Sequence, residues 1–589
     1  MKKLVGNIDD NTKPKDNLGG NFLRLFKYAL SYKKFLFLAL FSMIIYSSSI
    51  LASPYIIENM INSIVSRKPD ELLIPAIILI TLLGIGWSFN FIYVSTIARV
   101  GQRVISDLRI ELFIHIENLS LEFHTKSESG RIMSRIQNDI NRLEETLQVF
   151  FTILSDALIL IGIIAVMLNM NWQLALACFS VVPILILIVV IWKNVALPIF
   201  LVARRTIANV NVGLSENITG IKVIQSFNRE DINIEEFEDL NQDNLQAGIN
   251  VSRLSASLPP AIEIFSTISL ATIVIVGGYA LTKDTITVGI FVAFILFTQR
   301  FYDPLNQLAL QFAGLQNANA AASHIFELLD EKITVKDHKD AKKISKINGM
   351  IEFKNLSFHY DPEEPVLKNL SFKIKSGQKV AIIGPTGAGK TTIISLLTKL
   401  YTPIMGSIQI DGIDIQKIIK NSLLSHIGTV LQDPFLFSGT ILENLKFSHV
   451  NLTDKDVENA AHKTGADRFI TKLEKGYDTI IHENGSNMSP GERQLISITR
   501  ALAIDPHIVI LDEATSNIDS LTEDMIQTSL KTLLKGRTSL IIAHRLSTIR
   551  ECDVIIVLKE GSIIEQGTHE ELLANKGHYA ILHEIYTRE

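Results

Sequence analysis

Six long apolar segments dominate the first half of the chain. A helix that crosses a bilayer needs about 20 mostly apolar residues. Runs of this kind occupy 35–55, 73–96, 149–170, 174–195, 260–282 and 286–306. In 346–589 the pattern changes to short β-branched runs, polar turns and amphipathic stretches, as in soluble α/β domains. The pattern predicts six transmembrane helices followed by a soluble domain.

The connections between these segments fall into two classes. The third and fourth segments are separated only by the turn at Asn171-Trp172, and the fifth and sixth only by 283–285. Two other connections, 97–148 and 196–259, are long, polar and rich in helix-forming residues. Loops of that length are rarely structureless. We therefore expect the membrane helices to continue into the cytosol as long extensions.

The distribution of basic residues predicts the orientation of the chain in the membrane. Lysines and arginines precede the first segment and recur in both long connections, whereas the short turns carry almost none. Cytosolic loops of membrane proteins are enriched in these residues, so both termini and both long connections are assigned to the cytosol. Residues 21–33 form an amphipathic pattern, which predicts either an interfacial helix or a cytosolic linker helix.

A few polar residues fall inside the apolar segments. Glu263 lies near the start of the fifth segment, and Gln299 and Arg300 lie in the second half of the sixth. Because charges are costly in lipid, such side chains either line a cavity that contacts substrate or pair with neighbours close to the interface. The sequence leaves both interpretations open.

Composition argues against a nucleic-acid partner and against a disulfide framework. The 589 residues are 47% hydrophobic with a net charge of -5, which argues against a nucleic-acid partner. The two cysteines, Cys178 and Cys552, are far apart in the sequence, so a disulfide framework is not expected.

Lys379–Thr392 has the pattern of a strand, a glycine-rich turn and the start of a helix. Gly384, Gly389, Lys390 and Thr391 occupy the fixed positions of a phosphate-binding P-loop. In such loops backbone N–H groups surround phosphate oxygens, the lysine neutralises the β- and γ-phosphates, and the hydroxyl reaches Mg²⁺. The expected ATP-binding residues are Gly384, Pro385, Thr386, Gly387, Ala388, Gly389, Lys390, Thr391 and Thr392.

A second apolar strand ends in an acidic pair. The run Ile508–Leu511 is followed by Asp512 and Glu513, at the strand end where ligands bind in parallel sheets. Asp512 is expected to join Thr391 in the Mg²⁺ shell, and Glu513 to polarise the attacking water as catalytic base. The alternative, an acidic pair that caps a helix, is weakened by the P-loop in the same chain.

Three further segments carry a family resemblance: Val430–Thr440, which contains Leu-Gln-Asp-Pro-Phe; Met488–Leu495; and Ala543-His544-Arg545. Together with the P-loop, they resemble the ATP-binding-cassette family. The chain is similar over essentially its whole length to bacterial exporter half-transporters, in which a membrane domain precedes a nucleotide-binding domain.

The resemblance implies roles for further residues. Tyr360 would stack on adenine, and Gln432 would contact Mg²⁺ and the attacking water. Ser489 and Gly491 would present a hydroxyl and an N–H to the γ-phosphate held by a partner chain. His544 would hold the γ-phosphate during hydrolysis. From the residues alone, Tyr360 could be a hairpin aromatic, but its distance before the P-loop fits the assigned role. A lone histidine is more often structural, but His544 at the end of the apolar strand Ser539–Ala543 is a catalytic candidate.

The signature motif departs from the family pattern. The usual Leu-Ser-Gly-Gly-Gln is replaced by Met488-Ser489-Pro490-Gly491-Glu492. Pro490 lacks an N–H but is tolerated in a first helical turn, and Glu492 brings negative charge close to a nucleotide. This departure slightly favours a heterodimer with one weakened ATP site. A homodimer that tolerates these residues is the alternative.

By the same resemblance, 124–137 and 216–228 are expected to be coupling helices that contact the cassettes. From the residues alone they are only breaks in long helical patterns, at Gly130 and Gly220.

The predicted fold class is an α-helical membrane domain of six transmembrane helices with long cytosolic extensions, followed by an α/β P-loop ATPase domain. The predicted boundaries are a cytosolic N-terminus with an interfacial helix at 1–34, a transmembrane domain at 35–320, a linker at 321–345 and a cassette at 346–589.

The predicted function is ATP-driven export or flipping of amphipathic small molecules, drugs or lipids across the cytoplasmic membrane. The expected partners are a second half-transporter, the bilayer and a small amphipathic substrate. The alternative is an ATP-gated regulator or channel-like protein that mainly binds nucleotide without hydrolysis. Glu513 and His544 favour the exporter, and the sequence does not identify its substrate.

Overall fold

The structure is a computed structural model that describes residues 18–127, 129–338, 340–447, 449, 452–512, 520–543 and 546–588. The chain divides into two compact units. The first, here called the helical unit, comprises Met1–Glu117 and Glu128–Glu331. The second, the cassette unit, comprises Asn118–Ser127 and Lys332–Glu589.

The helical unit is built from long helices and a few short ones. Their bounds are α1 Leu18–Leu30, α2 Lys33–Val65, α3 Leu73–Asn118, α5 Ser129–Ser134, α6 Ile140–Met170, α7 Trp172–Phe179, α8 Val182–Thr219, α9 Ile221–Ser226, α10 Glu230–Thr282 and α11 Val288–Asp330. A short π-helical turn, Arg135–Asp139, joins α5 to α6. The helix between α3 and α5, α4 (Leu121–Lys126), belongs to the cassette unit.

Six helical segments of the described residues are long and apolar enough to cross a membrane, as predicted. They are Lys33–Val65, Pro69–Asn118, Ser129–Met170, Trp172–Thr219, Glu230–Thr282 and Val288–Gln307. Several extend far beyond the apolar runs that define them, which confirms the expected extensions. The fourth segment is broken between Phe179 and Val182, and Pro183 lies in the first turn of the helix that follows, α8. Pro259 and Pro260 lie inside α10.

Helix α1 confirms the amphipathic pattern at 21–33. Leu25 and Ala29 on one face are buried. On the polar side, Arg24 forms a bidentate ion pair with Asp330, with nitrogen–oxygen distances of 2.6 and 2.9 Å. The Tyr28 hydroxyl donates to Glu111 Oε2 at 2.9 Å. The helix is therefore fastened to α3 and to the end of α11 within the helical unit.

The polar residues predicted inside the membrane segments have different environments. Glu263 and Gln299 are exposed on the chain, whereas Arg300 is partly buried. Arg300 Nη1 donates a hydrogen bond to the carbonyl of Ile50. That carbonyl lacks its usual helical partner because Pro54, four residues later, has no N–H. Arg300 and the Ser53 hydroxyl, which donates to the same oxygen at 3.4 Å, therefore replace the N–H that this proline of α2 lacks.

In the described part of the cassette unit, three β-sheets are combined with short helices. Its strands are β1 Ile351–Asp361, β2 Glu364–Ile374, β3 Lys379–Ile383, β4 Met405–Ile410, β5 Ile413–Asp414, β6 Ile427–Val430, β7 Gly439–Thr440, β8 Ile480–Ile481, β9 Ile508–Asp512, β10 Thr538–Ile542, β11 Val554–Lys559 and β12 Ser562–Gly567. Its helices after α11 are α12 Lys390–Leu397, α13 Lys420–Leu424, α14 Ile441–Lys446, α15 Asp454–Thr464, α16 Asp467–Ile470, α17 Pro490–Ala503, α18 Ser520–Leu534, α19 Leu546–Arg550, α20 His569–Ala574 and α21 His578–Arg588.

The central sheet has the strand order β12-β11-β3-β10-β9-β6. The pairs β11–β3, β3–β10, β10–β9 and β9–β6 are all parallel. Their apolar residues are buried on both faces, which explains the continuous β-branched runs of the sequence. A second, antiparallel sheet has the order β2-β1-β4-β5, and β7 pairs with β8. The parallel strands bring their carboxyl ends to one edge.

A buried ion pair ties the segment after α11 to the cassette unit. Lys399, only 1% exposed, directs its Nζ to Asp337 Oδ1 at 2.9 Å and to the Ile418 carbonyl at 2.8 Å. Asp337 also accepts from the Lys420 N–H at 3.0 Å. Burial opposes the ionisation of Asp337, but these donors outweigh it, so its pKa lies below the ordinary value. This pair anchors the chain where it enters the cassette unit.

Candidate nucleotide-binding site

The P-loop connects the end of β3 to the N-terminus of α12. Gly384 and Gly389 both have positive φ, at 153° and 97°. A side chain at Gly384 would clash with the Leu558 carbonyl, and one at Gly389 would meet Leu367 and Val366. Only glycine fits this turn, which points the first N–H groups of α12 towards the space enclosed by the loop.

Lys390 is the first residue of α12 and only 8% of it is exposed. Its Nζ donates to the carbonyl oxygens of Gly384 at 2.7 Å and Pro385 at 3.0 Å. The Ala388 N–H donates to the Pro385 carbonyl at 3.2 Å. The loop thus holds the ammonium group at the helix N-terminus, where both the charge and the helix dipole favour an anion.

A cavity of about 400 Å³ adjoins the P-loop. It has the size of ordinary small-molecule sites, and it is lined by residues from the loop and from other strands. The lining residues are Tyr360, Val366, Thr386, Gly387, Gly389, Lys390, Thr391, Thr392, Gln432, Asp512 and Ile542. The structure thus brings most of the predicted ATP-binding residues around one space. Gly384, Pro385 and Ala388 form the adjoining backbone of the loop.

The edge of the parallel sheet explains how distant residues reach this cavity. Gln432 follows β6, Asp512 ends β9 and Ile542 ends β10, and all three line the cavity. Thr391, Gln432 and Asp512 bring hydroxyl, amide and carboxylate oxygens to this cavity, which are the ligand types that Mg²⁺ prefers. The three predicted metal residues therefore have a donor set that fits a magnesium ion.

Tyr360 lies near the end of β1 and reaches the cavity from the antiparallel sheet. Its hydroxyl is 3.1 Å from Thr392 Oγ1, and its ring is 5.1 Å from that of Tyr401 in an edge-to-face arrangement. Burial raises the pKa of its phenol, so the group stays neutral at physiological pH. Because Tyr360 is still 43% exposed, its ring is available to stack on a base.

The two remaining catalytic predictions lie outside the described residues. Glu513 follows Asp512 directly, and His544 comes two positions after Ile542. Their assignments therefore rest on their places in the sequence, each just beyond a strand that ends at the cavity.

The signature residues Ser489 and Gly491 are not among those lining the cavity. Ser489 is the N-cap of α17, with Pro490 in the first turn, as predicted. The Ser489 hydroxyl accepts from the Glu492 N–H at 3.3 Å, and Glu492 Oε2 accepts from the Ser489 N–H at 2.8 Å. The carboxylate of Glu492 is therefore held at the N-terminus of this helix by a capping box.

Two features were not predicted from the sequence. The capping box was readable from the Ser-x-x-Glu spacing of Ser489 and Glu492 ahead of an apolar run. The second is Asp156, an acidic residue within the apolar segment 149–170. An ionisable residue at such a position is a candidate for function in its own right.

Family models match both halves of the chain. A model described as the ABC transporter transmembrane region matches residues 36–305, and one described as ABC transporter matches residues 367–516. An uncharacterised ABC transporter ATP-binding protein of Bacillus subtilis is 39% identical, over 95% of this chain and 93% of its own length. The chain belongs to the ABC transporter family.

Other members support the same architecture. The ATP-dependent lipid A-core flippase of Desulfotalea psychrophila is 34% identical over 95% of this chain and 98% of its own. The solved structure of a bacterial Atm1-family ABC exporter with ATP bound superimposes with a TM-score of 0.80 at 26% identity, covering 93% of this ABC transporter and 97% of that chain.

Proposed function

We propose that this ABC transporter uses ATP hydrolysis to export or flip amphipathic small molecules, drugs or lipids across the cytoplasmic membrane. One observation carries the proposal. The P-loop, Gln432 and Asp512 surround a single cavity in a chain whose described residues include six segments long and apolar enough to cross a membrane. Relatives whose names include an exporter and a lipid flippase support it. The even number of segments supports a cytosolic location for both termini and for the cassette.

Each residue at the cavity has a proposed task in ATP hydrolysis. Lys390 neutralises the β- and γ-phosphates, the P-loop N–H groups bind their oxygens, and Tyr360 stacks on adenine. Thr391, Gln432 and Asp512 hold Mg²⁺, which supplies charge neutralisation for phosphoryl transfer when bound. Glu513 polarises the attacking water, and His544 positions the γ-phosphate.

The proposed transporter is a dimer of this chain with a second half-transporter. We place Ser489 and Gly491 against the ATP bound by the partner subunit. The capping box leaves few donors for that phosphate. Pro490 has no N–H, the Ser489 N–H donates to the Glu492 carboxylate, and the Glu492 N–H donates to the Ser489 hydroxyl. The signature of this chain is therefore a weak anion site. This supports a heterodimer in which a different half-transporter supplies a stronger signature to the ATP site described above.

Replacing Glu492 with glutamine tests this reading of the signature. Glutamine keeps the capping box but removes the charge. Charges near a helix N-terminus contribute about 0.3–1 kcal/mol, so the dissociation constant for the ATP held by the partner subunit should fall roughly two- to fivefold. The reconstituted transporter is titrated with ATP while nucleotide binding is measured.

The matched control is Glu571→Gln, which changes the same motif at Thr568 of α20. A Glu492→Gln variant that behaves like this control would mean that the signature charge does not face a nucleotide. Full hydrolysis by the chain purified alone would favour the homodimer.

Coupling between hydrolysis and transport is proposed to run through the two breaks in the cytosolic helices. At the first, α4 belongs to the cassette unit. At the second, Phe227, directly after α9, is 73% exposed on the single chain. The cassette unit in turn exposes Phe435, Phe437 and Phe447. We propose that Phe227 packs on this aromatic surface of the partner subunit.

A Phe227→Asp variant is expected to uncouple the transporter. Burying an unpaired carboxylate costs at least about 1–3 kcal/mol, so transport per ATP should fall about tenfold or more while hydrolysis continues. Substrate movement and phosphate release are measured in the same vesicles. Phe227→Leu should preserve coupling, and Gln225→Asp controls for added charge at an exposed neighbour. Unchanged coupling in Phe227→Asp would rule out the docking role.

A further inference from the structure

Tyr360 packs against two other aromatic rings at the edge of the nucleotide cavity. The ring of Phe358, two residues earlier on β1, lies 5.0 Å from it with the two planes at 89°. The ring of Tyr401 lies 5.1 Å from Tyr360 at 82°, and 5.6 Å from the Phe358 ring at 67°. Edge-to-face contacts of this kind are a favoured geometry of aromatic pairs. We call Phe358, Tyr360 and Tyr401 the aromatic triad.

The members of the aromatic triad differ in their access to the cavity. Tyr360 lines it and is 43% exposed. Phe358 and Tyr401 are 5% and 8% exposed and belong to a hydrophobic core of the cassette unit. Neither is among the residues that line the cavity. Tyr401 therefore lies behind Tyr360, where it can affect a bound nucleotide only through its neighbours.

The chain holds Tyr401 in a fixed place behind Tyr360. Tyr401 follows the P-loop helix α12, and its N–H donates to the carbonyl of Ser395 in that helix at 3.4 Å. Two residues earlier, Lys399 has a positive φ of 53° and its side chain is anchored by a buried ion pair. The Tyr360 hydroxyl is 3.1 Å from Thr392 Oγ1 on the same helix. Tyr360 is thus attached to α12 at two points, its hydroxyl and its contact with the Tyr401 ring.

We propose that Tyr401 is a positioning residue for adenine recognition. It does not contact nucleotide but holds the Tyr360 ring in the orientation that stacks on the base. Without Tyr401, the Tyr360 ring would gain freedom that it must lose again when nucleotide binds, so affinity falls. The P-loop groups that bind phosphate are unaffected by this loss. The inference rests on the proposed function, in which Tyr360 stacks on adenine, and adds the residue that orients the ring.

The test compares ATP with inorganic tripolyphosphate, which has the phosphates but no base. The purified full-length chain is titrated calorimetrically with each ligand, without Mg²⁺ so that ATP is not hydrolysed. Tyr401→Leu should weaken ATP binding about two- to tenfold, the range expected for loss of one edge-to-face aromatic pair. It should leave tripolyphosphate binding unchanged. Tyr401→Phe keeps the ring and should bind ATP like wild type.

The matched control is Phe372→Leu. Phe372 is 7% exposed, belongs to the same hydrophobic core as Tyr401, and stacks on Phe353 at 4.3 Å, outside the aromatic triad. This variant should lower the unfolding temperature, as Tyr401→Leu does, yet bind both ligands like wild type. A double variant of Tyr360→Leu and Tyr401→Leu should bind ATP no more weakly than Tyr360→Leu alone, because Tyr401 acts through Tyr360.

Three results would overturn the proposal: wild-type ATP affinity in a folded Tyr401→Leu variant, equal weakening of ATP and tripolyphosphate binding, or additive losses in the double variant. If Tyr401→Leu does not fold, Tyr401→Met, which removes the ring but fills irregular space, is judged by the same results. Wild-type ATP affinity in Tyr360→Leu would instead remove the stacking role itself, and the positioning role with it. ATP binding that drives no transport would count against the export function alone.

Discussion

A Glu513→Gln variant is expected to bind ATP normally and to release phosphate about 10²–10⁴-fold more slowly than wild type, the usual loss when a general base is removed. The amide cannot accept the proton of the attacking water, whereas the cavity lined by Lys390, Thr391 and Asp512 is unchanged. ATP should therefore stay trapped. Rapid filtration of labelled nucleotide and phosphate-release assays measure the two properties.

The control for Glu513→Gln is Asp505→Asn. Asp505 is an exposed acid in the same unit that pairs with Arg537 at 2.6 Å, so its replacement should leave turnover intact. Near-normal hydrolysis in Glu513→Gln would remove this residue from the catalytic role and would require another base at the cavity.

Lys390→Ala should have an effect of comparable size at the binding step. The variant loses the ammonium that the loop holds 2.7 Å from the Gly384 carbonyl. Hydrogen bonds to charged groups contribute about 1.5–3 kcal/mol, so ATP affinity should fall about ten- to hundredfold, with a parallel loss of hydrolysis. Calorimetric titration with ATP measures the affinity directly.

Two controls separate this effect from damage to the fold. Lys375→Ala removes an exposed lysine ahead of β3 and should bind ATP like wild type. Thermal unfolding of Lys390→Ala without nucleotide should show an intact cassette. Wild-type ATP affinity in a folded Lys390→Ala variant would contradict the assignment of the P-loop.

The sequence was most informative where chemistry and local geometry coincide. The glycines of the P-loop sequence predicted the turn that the structure shows. Gly384 and Gly389 adopt φ values there that other residues avoid. The membrane helices were equally readable from length and hydropathy. Asp512 and Gln432 could be placed at one site because parallel strands align their carboxyl ends.

Other features depend on contacts that no local pattern encodes. The pairing of Arg300 with Ile50 joins residues 250 positions apart, and it depends on a proline that deprives one carbonyl of its partner. The burial of Lys399 against Asp337, 62 positions away, also depends on a contact between distant residues. The burial of Asp156 Oδ2 without a hydrogen-bond partner among the described residues also depends on which helices surround it. The capping role of Glu492 was the exception, since its spacing was visible in the sequence.

The cassette unit brings together most of the residues predicted for nucleotide binding around one cavity, whereas the signature residues Ser489 and Gly491 do not line that cavity. Nucleotide binding can therefore be altered by Lys390→Ala without changing the signature or any residue of the helical unit.

The most direct test of the central claim uses inside-out vesicles that contain the transporter with its partner half-transporter. Accumulation of an amphipathic substrate is followed together with phosphate release after ATP and Mg²⁺ are added. ATP-dependent accumulation that disappears in both Lys390→Ala and Glu513→Gln is the predicted result. Accumulation that continues without hydrolysis, or hydrolysis that never moves substrate, would contradict the account.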